Sequence, residues 1–357
     1  MIDWLTMVVP CKHQTPIDGG KVLCVDANGE LSWESKKKRR VEGSFGGSIG
    51  VATAEHEGPD PCTHLWIDGN PAKWFQGHNL WGTDDLHGLA LATVTHLVDV
   101  LGLTPTEADR AAWRAGCIRL TRVDCTESFH LGSLGEVLAW LRAAEQTAHL
   151  SHRGRGQLKK GSTLYFGKNS RRWSLKLYSK GQEIRAKGHG QDAVLSLPSA
   201  VEWANRTLRV ELVLRGMELK RLGRDLVSAW MPQEGTDWVT GEGVTLELLR
   251  DRLGGMTMTT TAKLSADVLD SLRPPLRLAV KAWEAGDDLR STLPRPTFYK
   301  YRKELLPHGI DIATLLPREV SNVVPLFKTL EAVPAPVPDW AVGTPLYFEP
   351  PRRLRVG

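Results

Sequence analysis

Only five tyrosines occur in the 357 residues, and one of them, Tyr178, stands in the alternating run Trp-Ser-Leu-Lys-Leu-Tyr-Ser-Lys over 173–180. As a strand, this run puts Trp173, Leu175 and Leu177 on one face and Ser174, Lys176, Tyr178 and Lys180 on the other. A phenol with a lysine two residues to either side is a candidate nucleophile, because a neighbouring cation lowers its pKa. Two further runs alternate in the same way. In 118–129, Arg122, Asp124, Thr126 and Ser128 share a face opposite Val123, Cys125 and Phe129. In 206–215, Arg209, Glu211, Val213 and Arg215 lie opposite Leu208, Val210, Leu212 and Leu214. If the apolar faces pack on helices, the polar faces collect Tyr178, Asp124, Glu211 and several cations. Carboxylate oxygens suit Mg²⁺ or Mn²⁺, and such an ion polarises a scissile phosphate. The same spacing also allows a plain sheet, with Asp124 and Glu211 paired to Arg122 and to Arg209 or Arg215, and with Tyr178 packed between strands.

His78, considered alone, reads as a structural histidine, with a ligand role as the alternative. It lies in the segment 70–82, where turn residues and bulky aromatics alternate, a mix that holds a polar side chain in place. No second histidine sits two residues away, so a His-hydrophobe-His motif is missing. The formal net charge is only +5, but its distribution is uneven. From Ser151 to His189 there are 11 Lys or Arg and one acid, Glu183. These cations are interleaved with strand-type residues, which suggests a folded basic face for a phosphate backbone. Lys168, Arg171, Arg172 and Lys176 are its candidate contacts. The run Lys36 to Arg40 reads as a solvated surface.

The elements that must position these groups follow from periodicity. Residues 2–9 form a first strand, 17–58 short strands with Gly-rich turns, and His64 to Asp68 another strand. Thr83 is expected to cap a helix that keeps a 3.6 period from Leu86 to Leu101 and stops at Gly102. A strand at 118–129 leads to a helix at 133–148, then to a basic Gly-rich loop at 149–161. A hairpin (162–167 and 173–180) and a strand at 206–215 come next. Helices are expected at 217–230, 244–253 and 265–285. The fold class is therefore α+β, a largely antiparallel sheet with helices on one face, followed by a helical C-terminal domain. The expected domains are 1–216 (catalytic), 217–317 (helical) and a Pro-rich tail, 318–357, along the surface. Leu276 to Ala285, Asp287 to Thr292 and Thr297 to Leu306 follow helix-turn-helix order. The last helix offers Tyr299, Lys300, Arg302 and Lys303 to a major groove.

Composition excludes several classes. Hydrophobic residues are 41% and charged residues 24%, as in globular proteins. No apolar run reaches 18 residues, so a membrane partner is not expected. The N-terminus has an acid where a signal peptide has a basic patch. Five cysteines without CxxC argue against a disulfide framework or zinc ribbon and fit a reducing compartment. No GxGxxG or GxxxxGK[ST] accompanies the strands, which disfavours a nucleotide-cofactor enzyme.

Several segments, in order, resemble the replication-initiation (gene II) proteins of filamentous bacteriophages. They are Met1-Ile2-Asp3, Asn70-Pro-Ala-Lys73 with Gln76-Gly-His-Asn-Leu-Trp-Gly-Thr-Asp-Asp-Leu86, Thr121-Arg-Val-Asp124, Leu177-Tyr-Ser-Lys-Gly-Gln-Glu183, Arg209-Val-Glu211 and Asn322-Val-Val-Pro-Leu326. The hairpin also resembles rolling-circle plasmid initiators. The resemblance implies nicking and religation of one strand of double-stranded phage DNA at the origin through a 5′-phosphotyrosyl intermediate. It places the family nucleophile on Tyr178, in its Tyr-x-Lys context with Lys180, and the family histidine on His78. Asp124 and Glu211 match acidic family positions and are expected as ligands of Mg²⁺ or Mn²⁺. It further implies single-stranded origin DNA, a host helicase and replication machinery as partners, and the host bacterial cytoplasm as location. The alternative is a non-catalytic origin-binding regulator of replication. A transposase or conjugative relaxase would need the paired-histidine motif that is missing.

Overall fold

The computed structural model describes residues 1–350 except 44, 55–60, 151–152, 187–190, 232–242, 254–255, 259–271, 285–286, 307–309 and 314–333. The strands are β1 (Ile2–His13), β2 (Lys21–Val25), β3 (Leu31–Lys36), β4 (Arg39–Glu42), β5 (Ser48–Ala54), β6 (Cys62–Gly69), β7 (Arg119–His130), β8 (Ala148–Leu150), β9 (Gly154–Arg155), β10 (Gln157–Lys159), β11 (Thr163–Phe166), β12 (Trp173–Ser179), β13 (Thr207–Arg215) and β14 (Met256–Met258). Nine of them form one antiparallel sheet in the order β10-β11-β12-β13-β7-β1-β6-β5-β4.

Strand alternation drives this arrangement. One face carries Leu5, Met7, Val9, Val51, Ile67, Val123, Cys125, Leu175, Leu177, Val210 and Leu212, all buried in the main core. It packs against the helices α1 (Pro71–Gln76), α2 (Leu86–Val100), α3 (Glu107–Arg114) and α4 (Leu134–Thr147), which contribute Trp74, Leu89, Val94, Trp113, Trp140 and Leu141 to the same core. The α+β class and the antiparallel sheet are as expected.

Local differences have local causes. The cap of α2 is Asp85, whose side chain accepts from the Gly88 amide at 2.9 Å, while Thr83 Oγ1 accepts from the Asp85 amide at 3.0 Å. The stretch read as a basic loop at 149–161 contains β8, β9 and β10, because short edge pairs need little apolar signal. Between β12 and β13 lie three short helices without a strong period: α5 (Lys180–Glu183), α6 (Asp192–Leu195) and α7 (Pro198–Asn205). The helix expected at 217–230 is split into α8 (Gly216–Arg221) and a 3₁₀ turn, Val227–Trp230, with Gly223 at φ 63° between them.

The main core runs on past residue 216. Leu219, Val227, Trp230, Leu248 and Leu249 all join it, with α8 and α9 (Val244–Leu253) packed on β7. A separate core begins at Leu272 and holds the helices Pro274–Glu284, Leu289–Thr292 and Arg295–Leu305. The described part of the tail, 334–350, is a strap. Ala341, Leu346 and Tyr347 pack with Trp81, Ile184 and Trp203, and Phe348 stacks on Phe75 at 4.1 Å. The Ala335 amide donates to Ser128 O at 2.7 Å. The Asn322 to Leu326 segment and part of the helix expected at 265–285 lie outside the described residues.

Candidate active site

Directly opposed residues in an antiparallel pair project to the same side. Tyr178 is opposite Arg209, which is opposite Ser128; Lys176 is opposite Glu211, which is opposite Thr126; Val213 is opposite Asp124, which is opposite Trp4. The sheet therefore gathers Tyr178, Lys176, Glu211 and Asp124 on one face, on three adjacent strands. Lys180 departs from the expected strand pattern. Strand β12 ends at Ser179, whose hydroxyl caps the short α5, and Lys180 turns inward as its first residue.

The charged groups are tied to one another. Asp124, 2% exposed, accepts from Arg122 Nε at 2.8 Å and Nη2 at 2.6 Å. Glu211 accepts from Lys176 Nζ at 3.0 Å, and the same Nζ stands 4.1 Å from the centre of the Tyr178 ring. Burial pushes the Asp124 carboxyl up to about 7; Arg122 opposes this, and the charges of Glu211 and Asp3 add to it. Tyr178 is buried and its pKa is raised well above the ordinary value, first by burial and then by the charge of Glu211. The flanking lysines thus do not lower it as the sequence spacing predicts: Lys176 is neutralised by Glu211, and Lys180 is directed elsewhere.

Lys180 is wholly buried, and its Nζ donates to Asn79 Oδ1 at 2.6 Å and Glu183 Oε2 at 2.7 Å. Its pKa is lowered, chiefly by burial. Asn79 Nδ2 in turn donates to Asp3 Oδ1 at 2.9 Å, and Asn70 Nδ2 donates to the same oxygen at 2.7 Å. Asn70 also caps α1 by accepting from the Lys73 amide. A hydrogen-bonded chain thus links β1, the α1 cap and the 77–82 loop to the end of β12. Arg209, also wholly buried, donates through Nη2 to the carbonyl oxygens of Asn79 and Leu80. Asp3 and Asn79 are site residues that strand alternation does not identify as such, whereas it does place Arg209 on the polar face. Both lie in segments that carry the family resemblance, and Asp3 is also an acid inside a mostly apolar first strand; no sequence period marks Asn79.

His78 follows Gly77, the left-handed cap of α1 at φ 81°. It is fully buried and lies edge-on to Trp81 at 4.9 Å. Burial first, then Lys180, lowers its pKa to about 4, so it is neutral at physiological pH. Its Nδ1 accepts from the Leu80 amide at 3.3 Å, which leaves the proton on Nε2. Nδ1 thus orders the loop, while Nε2 is buried with no hydrogen-bond partner among the described residues. Gly77→Ala forces a side chain into a left-handed backbone with its Cβ at 2.6 Å from Phe45 Cβ. It should destabilise the fold by roughly 1–3 kcal/mol, read as a lower Tm; an unchanged Tm would show that the loop is not set by this cap.

Among the described residues, no three His, Cys, Asp or Glu side chains stand close enough to hold a metal ion by themselves, so His78, Asp124 and Glu211 do not converge as expected. Asp124 and Glu211 still fit a hard divalent ion. They supply oxygen donors on adjacent strands, near enough that the charge of Glu211 helps to raise the Asp124 pKa. Mg²⁺ is commonly held by one or two carboxylates plus substrate phosphates and water. Two buried polar atoms on the same face, Thr126 Oγ1 and Arg209 Nε, have no hydrogen-bond partner, as in a pocket built for a polar ligand.

The candidate DNA contacts fall into two groups. Arg171 and Arg172 are exposed in the β11–β12 turn, and Lys168 lies over the Tyr165 ring at 5.2 Å. In the C-terminal helix Arg295–Leu305, Tyr299, Lys300 and Lys303 are exposed, but Arg302 is held by Asp311 through two bonds of 2.7 Å. Arg302 therefore serves the helical unit's own fold.

Residues 1–233 match the N-terminal family of the phage gene II replication-associated proteins, and residues 275–346 match the corresponding C-terminal family. The chain is 39% identical over 341 residues to the replication-associated protein of Enterobacteria phage I2-2, covering 95% of each chain. It is 26% identical to that of Enterobacteria phage fd, covering 82% of this chain and 80% of the relative. Among solved structures, a rolling circle replication initiator protein from Geobacillus stearothermophilus aligns over 75% of this chain and 89% of its own, at a TM-score of 0.34 and 13% identity. No helix among the described residues is long and apolar enough to cross a membrane.

Proposed function

The chain belongs to the family of phage gene II replication-associated proteins, and on that premise we propose that it starts rolling-circle replication by nicking one strand of duplex phage DNA at the origin, acting in the host cytoplasm. The observation that carries this is register: a tyrosine, two carboxylates and a lysine share one face of three adjacent strands in a chain of that family.

Tyr178 Oη attacks the scissile phosphorus; the Oη–P bond forms and the P–O3′ bond breaks. The 5′ phosphate stays on the tyrosine and the 3′ oxygen leaves as a hydroxyl. Glu211, the diagonal neighbour of Tyr178 on the same face, is the proposed acceptor of the Oη proton, and solvent water supplies the proton that completes the leaving 3′ hydroxyl. A Mg²⁺ or Mn²⁺ ion held by Asp124 and Glu211 would draw charge from the phosphate oxygens. Lys176, already between Glu211 and the Tyr178 ring, positions the phenol. Lys180 positions: its bonds to Asn79 and Glu183 fix the end of β12. Because the phosphodiester energy is kept in the tyrosyl bond, the freed 3′ hydroxyl of a later strand end can reverse the step and close a circle. The 3′ hydroxyl of the nick primes synthesis, for which host helicase and polymerase are the partners.

Tyr178 is buried with Lys176 over its ring, so a strand reaches it only when the side chains that cover it shift. The test is conversion of supercoiled origin plasmid to nicked circles with Mg²⁺. Site recognition is assigned to the Arg295–Leu305 helix. Lys300→Ala with Lys303→Ala should weaken origin duplex binding by about 1–3 kcal/mol for each base the helix no longer reads, while nicking of a single-stranded origin oligonucleotide is spared. Equal weakening on random duplex would reduce this helix to phosphate contact.

A further inference from the structure

The active face continues well beyond the site. Across β7, β1, β6 and β5 the opposed residues run Arg122, Thr6, Asp68 and Gly50, with Trp4 opposite Asp124 and Trp66 opposite Val8 on the same side. In the other direction Tyr165 is opposite Lys176. Each of these aromatics has a cation beside its ring: Lys38 at 5.0 Å from Trp66, Arg122 at 5.2 Å from Trp4, Lys176 at 4.1 Å from Tyr178 and Lys168 at 5.2 Å from Tyr165. Trp66 is 40% exposed, and Trp4 and Tyr165 are half-buried. The opposite face of the same strands is apolar and covered.

We propose that this face is a platform for single-stranded DNA, on which bases stack on Trp66, Trp4 and Tyr165 while Lys168 meets a phosphate directly and Lys38, Arg122 and Lys176 do so by exchanging their ion pairs with Asp68, Asp124 and Glu211. The inference rests on the nicking function above and names its single-strand site. From β11 to β6 there are five inter-strand steps of about 4.8 Å, so the aromatic stations are spread over roughly 24 Å across the sheet, and further along a diagonal because Trp66 and Tyr165 lie at different heights on the strands, with the Asp124–Glu211 pair between them. Aromatic rings interleaved with cations on an open surface are the chemistry of single-strand binding, since every base has a π face to stack. A duplex keeps its bases stacked on each other and could use only the cations. The platform therefore holds the strand that is cut once it is melted, and carries it past the nucleophile.

The test uses the full chain and fluorescence anisotropy with labelled oligothymidylate. Trp66→Ala and Tyr165→Ala should each weaken binding about tenfold, within the range for removal of one stacked base. Trp66→Phe should restore most of it, and an abasic oligonucleotide of equal length should bind Trp66→Ala and the parent chain equally. Unchanged affinity on Trp66→Ala, or an equal weakening on the abasic chain, overturns the platform. So would a parent dimer in sedimentation that Trp66→Ala turns into a monomer with oligothymidylate affinity unchanged, which would make the face a contact with a second copy. Failure of the parent chain to nick origin plasmid overturns the nicking function instead, and leaves the oligothymidylate comparison able to decide the platform on its own.

Discussion

Tyr178→Phe should bind origin DNA as the parent does and neither nick it nor form an adduct that survives denaturation. The substitution removes one oxygen from a side chain that is already buried, and no described hydrogen bond goes with it, so the fold should be kept. Loss of a nucleophile that forms the covalent intermediate costs on the order of 10⁴-fold or more. The comparison is the initial rate of supercoiled plasmid conversion at matched DNA occupancy. Retained nicking by the Phe variant would move the nucleophile elsewhere, and Tyr165, half-buried on the partner strand, would be the next group to replace.

Asp124→Asn separates function from stability. The folded carboxyl titrates at about 7, above its ordinary 3.8. Between those values the folded chain holds a proton that the unfolded chain releases, so this group's contribution to stability falls as pH rises from about 4 through 7. Asparagine keeps the shape and removes that dependence. In metal-free buffer the variant should melt at or above the parent at pH 8, with the difference shrinking toward pH 4. Arg122 is left without its partner, but its side chain is 39% exposed and can be solvated. Nicking should nevertheless fall by about 10²–10³-fold, the range for loss of one group that stabilises transition-state charge. A variant that melts lower at pH 8 and nicks normally would make Asp124 a structural ion-pair partner only.

The active face was legible because a strand's period of two sorts side chains without knowledge of its neighbours. Tyr178, Lys176, Asp124 and Glu211 can be placed together from alternation alone, and the register puts them on one face. What the groups do to each other was not legible. Lys176 is two residues from Tyr178 in sequence, yet its charge is spent on Glu211 across the strand pair. Lys180 should continue the alternation, but the Ser179 cap ends the strand and turns it inward. His78 has ligand chemistry by type; only the Leu80 amide on Nδ1 shows which nitrogen carries the proton. The extent of the main core was hidden for a related reason. Helical periodicity begins near 216, but which core a helix joins depends on its partners, and Leu219, Leu248 and Leu249 join the sheet's core. The strap at 334–350 has no period at all; its place is set by single contacts such as Phe348 on Phe75.

The central claim is a covalent bond between this chain and the 5′ phosphate at the nick. The most direct measurement is mass spectrometry of the protease-digested adduct formed by the unmodified chain on origin DNA with Mg²⁺. The account predicts a nucleotide-bearing peptide with the modification on Tyr178. A modification on Tyr165, or nicks that carry a free 5′ phosphate with no modified peptide, would contradict it.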